Sequence, residues 1–114
     1  MLIYVVDGDA EWGKLVAEAL EGVAETEVFV DGMEAIAAMD EKVPNGVVCA
    51  VELVGPNGFS LLQEMRSYKE LIDVPVLMLS DMELGDVKAY GVTAVLDRRK
   101  MDPRELVREV KKWT

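Results

Sequence analysis

Five short apolar runs, separated by stretches with helical spacing, constrain the fold of this chain more than any other feature. Most of these runs carry apolar side chains at consecutive positions, as strands buried on both faces do. Between the runs, apolar residues recur three or four positions apart, which is typical of amphipathic helices. The predicted strands are residues 2–6, 26–30, 47–51, 76–79 and 92–96. Five β-α units in succession predict an α/β fold, with a parallel sheet covered by helices on both faces.

The intervening helices are predicted from apolar stripes and from start signals. The stripes are Trp12, Leu15, Val16, Ala19 and Leu20 in the first helix, Ile36 and Met39 in the second, Phe59, Leu62 and Met65 in the third, and Leu106, Val110 and Trp113 in the last. Asp31 and Asp102 are placed to cap the second and last helices, and Pro103 fits a first helical turn. A short polar helix is predicted at about 81–90. Trp113 could pack on its own domain or on a partner or following domain.

Length and composition favour one folded domain over residues 1–114, either alone or as the amino-terminal part of a longer regulator. The chain has 114 residues, of which 51% are hydrophobic and 30% charged, enough to form a core. It has no histidine and one cysteine, which excludes Ser-His-Asp and Cys-His catalysis and histidine-ligated metals. Cys49 lies in an apolar run and is predicted to be buried. No apolar run reaches the roughly 20 residues of a membrane span and no secretion signal is recognised, so a cytoplasmic protein is expected.

Charge is distributed unevenly along the chain. The net charge is −10, from 12 basic and 22 acidic residues. Residues 1–60 carry 2 basic and 12 acidic residues, whereas residues 98–112 carry 7 basic and 3 acidic ones. Because the whole domain is acidic, we expect it to bind neither nucleic acid nor an anionic membrane directly.

Polar residues follow the predicted strands, at the edge where parallel sheets place their binding sites. The residues are Asp7 and Asp9 after the first strand, Ala50 and Glu52 near the end of the third, Ser80 and Asp81 after the fourth, and Arg98 after the fifth. They predict an acidic cleft with a hydroxyl on one side and a guanidinium on the other. Such carboxylates could hold Mg²⁺, or they could be ordinary polar residues of surface loops.

Five segments give the chain a specific resemblance. They are IYVVD at 3–7, DGMEA at 31–35, GPNGF at 55–59, PVLMLS at 75–80 and YGVTA at 90–94. In this order and spacing the chain resembles a response-regulator receiver domain of the CheY-like type. The resemblance covers essentially all 114 residues. It implies a (βα)5 flavodoxin-like three-layer sandwich, a five-stranded parallel sheet of order 2-1-3-4-5, and a signalling module rather than an enzyme.

The residues that carry the chemistry of that family are partly missing. The phosphoacceptor aspartate lies eight residues before the loop glycine, Gly58, and that position is Ala50. Alanine has no oxygen to phosphorylate. The metal-binding acidic pair falls on Asp7 and Gly8, with Asp9 adjacent, so at most weak Mg²⁺ binding is expected. We expect Ala50 at the carboxyl edge of the central strand, beside Asp7.

The switch positions implied by the resemblance also depart from the family. Ser80 matches the hydroxyl position, but Arg98 replaces the lysine and Val95 replaces an aromatic residue. A guanidinium keeps the charge of lysine without its compact shape. We expect Arg98 to pair with Asp7 or Glu52 and so to occupy the space of phosphate and metal.

These departures predict a degenerate pseudo-receiver that acts by protein–protein interaction, independently of phosphorylation, in bacterial signalling or transcription control. The alternative is an active phosphoreceiver that uses Glu52 or Asp9 as acceptor with Mg²⁺. A flavodoxin-like FMN protein is disfavoured because the loop after the first strand, DGDAE at 7–11, is acidic and would repel a phosphate.

The resemblance also implies where partners would bind. In receiver domains the fourth helix, fifth strand and fifth helix form the common contact face. The matching residues are Glu83, Asp86, Val95, Arg104 and Arg108. This face is predicted to contact a protein partner or an output domain. Its opposite charges would also suit a two-fold homodimer.

Overall fold

Nine regular elements make up the part of the chain that the structure, a computed structural model, describes, which is residues 1–81 and 91–113. The strands are β1 (Leu2–Val6), β2 (Glu25–Phe29), β3 (Gly46–Ala50), β4 (Val76–Ser80) and β5 (Ala94–Asp97). The helices are α1 (Ala10–Ala19), α2 (Gly32–Glu41), α3 (Gly58–Arg66) and α4 (Pro103–Lys111). The helix predicted at 81–90, with Glu83 and Asp86, lies outside the described residues. No helix in the described ranges is long and apolar enough to cross a membrane.

The five strands form one parallel sheet in the order β2-β1-β3-β4-β5. This confirms the predicted order 2-1-3-4-5 and the flavodoxin-like architecture. The three inner strands, β1, β3 and β4, are buried at every residue. The edge strands β2 and β5 are partly exposed, because each has a neighbour on one side only. The switch in strand order between β1 and β3 makes their carboxyl ends the expected site.

Helices cover both faces of the sheet and produce two apolar layers. Val16 and Leu20 of the α1 region and Leu106 of α4 pack on one face, with β1, β3 and β4. Helices α2 and α3 pack on the other face, where Met39 and Met65 are buried. The prediction that Leu15 belongs to the buried apolar stripe of α1 was wrong. The side chain of Leu15 is 53% exposed, because Val16 and Leu20 already fill the inward positions of α1.

Helix caps and the last aromatic residue agree with the sequence pattern. The Asp31 carboxylate accepts a hydrogen bond from the Met33 amide, and the Asp102 carboxylate accepts one from the Arg104 amide. The indole of Trp113 lies against Gly46, leaving no room for a Cβ atom there. Of the two alternatives for this tryptophan, packing on its own domain is the one observed.

The fifth strand begins at Ala94, two residues later than predicted. The Thr93 hydroxyl accepts a hydrogen bond from the Val76 amide at 3.1 Å, while the Thr93 amide donates to the Val76 carbonyl at 2.8 Å. A side-chain oxygen therefore joins β4 where a regular ladder would use a backbone carbonyl. Periodicity alone does not reveal this substitution.

Candidate functional site

The carboxyl ends of four strands bring the sequence-predicted residues to one edge of the sheet. Cys49 in β3 is in register with Val6 in β1, which places Ala50 level with Asp7. Ser80 ends β4, and Arg98 follows β5 with its amide donating to the Ser80 carbonyl at 2.8 Å. The side chains are buried, with 2% exposure at Asp7, Ala50 and Ser80 and 9% at Arg98. Ala50 therefore lies at the predicted position, at the end of the central strand.

Arg98 bridges two carboxylates across this edge. Its Nη1 donates to Oδ2 of Asp7 at 2.6 Å, and its Nε donates to Oδ1 of Asp81 at 2.8 Å. A second bond from Nη2 to Oδ2 makes the contact with Asp81 bidentate. The guanidinium carbon also lies 4.7 Å from the centre of the Trp12 ring, within cation–π range. The predicted pair of Arg98 with Asp7 is present.

Asp81 was predicted among the strand-end residues of the acidic cleft, but its contact with Arg98 and the place of Trp12 beside the site were not predicted from the sequence. Asp81 follows Ser80 directly at the end of β4, so its position among the strand-end residues was the available signal. Trp12 was assigned to the core because it begins the apolar stripe of α1. Its nearness to the amino end of that helix could have placed it beside the site.

The electrostatics of the bridge follow from burial and from the two ion pairs. Burial raises the pKa of Asp7 above the usual carboxyl range, and the Asp9 amide and Arg98 oppose that rise. Hydrogen bonding to Arg98 lowers the pKa of the more exposed Asp81. The carboxylates of Asp81 and Asp7 raise the pKa of Arg98, so the guanidinium stays charged.

The two predicted substitute acceptors occupy different surroundings. Oδ1 of Asp9 accepts hydrogen bonds from the amides of Glu11 and Trp12, so this carboxylate caps α1. Glu52 is exposed, and β3 ends at Ala50. Because β3 ends at Ala50, Glu52 does not continue the strand face on which Ala50 lies.

The loop after β3 packs against Gly8, the position at which the resemblance implies a second acidic residue. The Gly8 amide donates to the Glu52 carbonyl at 3.1 Å, and the Val54 amide donates to the Val30 carbonyl at 2.9 Å. A Cβ atom at position 8 would lie 2.8 Å from the Glu52 carbonyl oxygen and 3.0 Å from Cα of Leu53. Backbone atoms therefore fill the place where a second acidic side chain would begin.

The residues at this edge do not fit the Mg²⁺ site of the receiver family. Oδ1 of Asp7 accepts a hydrogen bond from the Asp9 amide at 2.9 Å, and Oδ2 of Asp7 is held by Arg98. Mg²⁺ requires several oxygens in near-octahedral arrangement, and a guanidinium offers none. Within residues 1–81 and 91–113 no group of three or more acidic, histidine or cysteine side chains is arranged to hold a metal.

The described residues of the predicted interaction face lie on β5 and α4, and Glu83 and Asp86 lie outside the described residues. Val95 is 37% exposed on the edge strand β5. Arg104 and Arg108 are exposed on α4, where they line a groove together with Ala19 of α1. Val95 is not among the described residues that line this groove. The basic residues therefore border α1, which the sequence did not indicate.

The chain was compared with known proteins in sequence and in fold. No family model matches the chain. An uncharacterized 76.5 kDa protein in the phbC 3' region of Thiocystis violacea is 32% identical over 95 residues, which span 78% of this chain but only 14% of that protein. The receiver domain of NtrX from Brucella abortus is 25% identical, with a TM-score of 0.83 over 97% of this chain and 96% of that one. The chain has the fold of a receiver domain.

Two further receiver structures are similar in fold at lower identity. The chemotaxis response regulator CheY4 of Vibrio cholerae has a TM-score of 0.89 at 22% identity, over 99% of this chain and 98% of that one. The receiver domain of the sensor histidine kinase PA1611 from Pseudomonas aeruginosa has a TM-score of 0.87 at 18% identity, over 98% and 95% of the two chains. That receiver was solved with a magnesium ion coordinated in its active-site cleft. In the present chain, Arg98 lies against Asp7 at the carboxyl ends of the strands.

Proposed function

We propose that this chain is a phosphorylation-independent receiver-like module that acts through protein–protein contact in bacterial signal transduction or transcription control. The observation that carries the proposal is the Arg98 bridge. One guanidinium is bound to Asp7 and Asp81 at the strand ends, in the cleft where receivers hold metal and phosphate. A charge-assisted network of this kind favours a single arrangement of β5 relative to β1 and β4.

The chemistry of the strand ends supports the same proposal. Ala50 occupies the phosphoacceptor position and has no nucleophilic oxygen. Metal binding would require Asp7 to give up its contact with Arg98. The Arg98 side chain is only 8% exposed, so this would leave a buried cation without its buried partner Asp7. Breaking a buried ion pair costs up to about 3–5 kcal/mol, which the remaining contact of Arg98 with Asp81 would reduce, and Mg²⁺ would have to supply what is left of that cost.

An active phosphoreceiver is the less favoured alternative. Phosphorylation of Asp9 would remove an N-cap that two amides of α1 use. Glu52 is exposed beyond the end of β3 and would hold a phosphoryl group away from the buried Ser80. Neither carboxylate combines the burial and the strand-end placement that Ala50 has.

The domain is proposed to work in the cytoplasm, alone or joined to an output domain. The Thiocystis violacea relative is much longer than the matched region, because that region covers only 14% of its length. A receiver-like unit within a longer regulator would pass on a signal by contact. The proposal assigns no catalytic activity to residues 1–114 and no metal or cofactor requirement.

The proposal is tested with Mg²⁺, beryllofluoride and acetyl phosphate. Trp12 lies under Arg98, so displacement of Arg98 from Asp7 should change Trp12 fluorescence. A Trp113→Phe variant leaves Trp12 as the reporter, and the matched Trp12→Phe variant leaves Trp113, which packs at Gly46. We expect no Mg²⁺-dependent change in either variant, and no mass increase of the wild-type chain with acetyl phosphate. A fluorescence change confined to the Trp12 reporter, or a phosphorylated Glu52 or Asp9 in peptide mass spectra, would contradict the proposal.

A further inference from the structure

A shallow groove runs along the outer side of α4, on the face of the domain that α4 shares with α1. Its volume is about 550 Å³. The lining residues are Ala19, Pro103, Arg104, Val107, Arg108 and Lys111. The three residues of the Arg98 bridge are not among the described residues that line this groove. They are Asp7, Asp81 and Arg98.

The helical spacing of these residues produces an apolar line beside a basic one. Pro103 and Val107 are four positions apart, so they lie one above the other on α4. Arg104, Arg108 and Lys111 follow at spacings of four and three and form the adjacent basic line. An apolar strip with a cationic rim is therefore presented over the nine residues of α4.

Helix α1 extends the apolar part of the groove. Ala19 lines it directly, and Leu15 lies one turn earlier on the same side of α1. The side chain of Leu15 is 53% exposed, although it belongs to the apolar stripe of the helix. Leu15 is not among the described residues that line the groove, but a partner that extends past Ala19 along α1 would cover its exposed side chain.

We propose that this groove binds an acidic amphipathic helix of a protein partner. The inference rests on the proposed function as a contact module and specifies the chemistry of the partner. Apolar side chains of the partner helix would cover Val107, Pro103 and Ala19. Carboxylates of the partner would meet Arg108 and, one turn earlier on α4, Arg104, which also pairs with Asp102 at the surface at 2.7 Å. A nine-residue helix is about 13 Å long, which suits two to three turns of a partner helix.

The charge distribution favours a short acidic helix over other anionic occupants. Three of the described residues that line the groove are basic and none is acidic, whereas the whole chain has a net charge of −10. A DNA duplex or an anionic membrane would bring many phosphates against the acidic remainder of the domain. A short helix engages only the groove, and charges beyond about 8 Å are screened at physiological salt.

The test measures binding of a fluorescein-labelled helical peptide with leucines on one face and glutamates on the other. Fluorescence anisotropy is followed with the full chain, and a peptide with lysines in place of the glutamates is the probe control. Arg108→Glu is the test variant. Lys69→Glu makes the same charge change in the exposed segment after α3, in the layer opposite α4. We expect Arg108→Glu to weaken binding about tenfold or more and Lys69→Glu to leave it unchanged within about twofold.

A second variant separates the apolar contribution from the charge. Val107→Ser keeps all charges and should weaken binding about fivefold, because it removes apolar surface from the floor of the groove. Circular dichroism establishes that each variant is folded. The proposal is overturned if the acidic peptide does not bind, if it binds equally to Arg108→Glu, or if duplex DNA or anionic vesicles bind more tightly at the same groove. If sedimentation shows that the chain self-associates and Arg108→Glu abolishes this association, a second copy is the occupant, and the proposal is overturned too. None of these outcomes bears on phosphorylation, which the acetyl phosphate test decides separately.

Discussion

Replacement of Arg98 by methionine tests the bridge most directly. Arg98→Met keeps an unbranched side chain over Trp12 but removes the charge, leaving Asp7 buried at 2% exposure without its cation. An uncompensated buried charge costs about 3–5 kcal/mol. The contact with Asp81 adds only about 0–1 kcal/mol, because the Asp81 side chain is 52% exposed.

Protonation of Asp7 limits this loss and makes it depend on pH. From an ordinary pKa of 3.8, protonating a carboxylate costs about 4 kcal/mol at pH 7 and about 2 kcal/mol at pH 5. In the variant, burial raises the pKa of Asp7 and Arg98 no longer opposes the rise. A carboxyl whose pKa is raised in the folded state loses stability as the pH increases through that pKa. We therefore expect Arg98→Met to lose about 3–4 kcal/mol at pH 7 and about 2 kcal/mol or less at pH 5.

Urea unfolding of wild type and variant at pH 5, 6 and 7 measures these differences. Arg99→Met is the matched control: Arg99 is the next residue and pairs with Asp97 at the surface, so its loss should be much smaller than that of Arg98→Met. The control should show no trend across this range, because Arg99 holds the pKa of Asp97 at about 2. Adding Asp7→Asn to Arg98→Met should restore most of the lost stability. An equal loss at pH 5 and pH 7, or no recovery with Asp7→Asn, would refute a buried charge as the cause.

Three further predictions concern other parts of the site and fold. Gly8→Ala should lower the free energy of unfolding by about 1–3 kcal/mol in urea titrations, because its Cβ would meet the Glu52 carbonyl at 2.8 Å. Asp102→Asn keeps the N-cap but removes a carboxyl whose pKa Arg104 holds at about 2. The stability advantage of wild type over this variant, present above pH 4, should disappear as the pH falls toward 2. Cys49 is buried and burial raises its pKa, so a thiol reagent should label it only at the rate of global unfolding, and rapid labelling in the folded state would contradict this burial.

The fold was largely predictable because strand burial and helix spacing leave direct traces in sequence. Consecutive apolar residues at 2–6 and 47–51 corresponded to inner strands, and Asp31 and Asp102 marked helix starts. The errors came from tertiary packing. Leu15 has the same spacing as core positions but meets no facing surface, and the Thr93 hydroxyl shortens β5 by replacing a backbone acceptor.

The candidate site was predictable in part. The strand-end rule and the family spacing located Asp7, Ala50 and Arg98, and charge complementarity suggested the pair of Arg98 with Asp7. The bidentate contact with Asp81 and the stacking on Trp12 depend on the rotamer of one long side chain, which no sequence pattern encodes. The closure of the loop over Gly8 likewise depends on backbone hydrogen bonds that involve no particular side chain.

Three of the departures from the receiver pattern, at positions 8, 50 and 98, support one another physically. With Gly8 in place of an acid, the loop backbone at Glu52 can approach β1 closely, and this fills the position where a second metal ligand would begin. With no metal, Asp7 would be a buried carboxylate without a cation, and Arg98 supplies that cation from the end of β5. Alanine at position 50 adds no further negative charge beside Asp7, so a single guanidinium suffices to neutralise the buried edge. An aspartate there would place a second buried carboxylate next to the first and would require a second cation. The alanine, the glycine and the arginine are thus mutually compatible at this strand edge. Their compatibility supports the proposal of a contact module that works without phosphorylation.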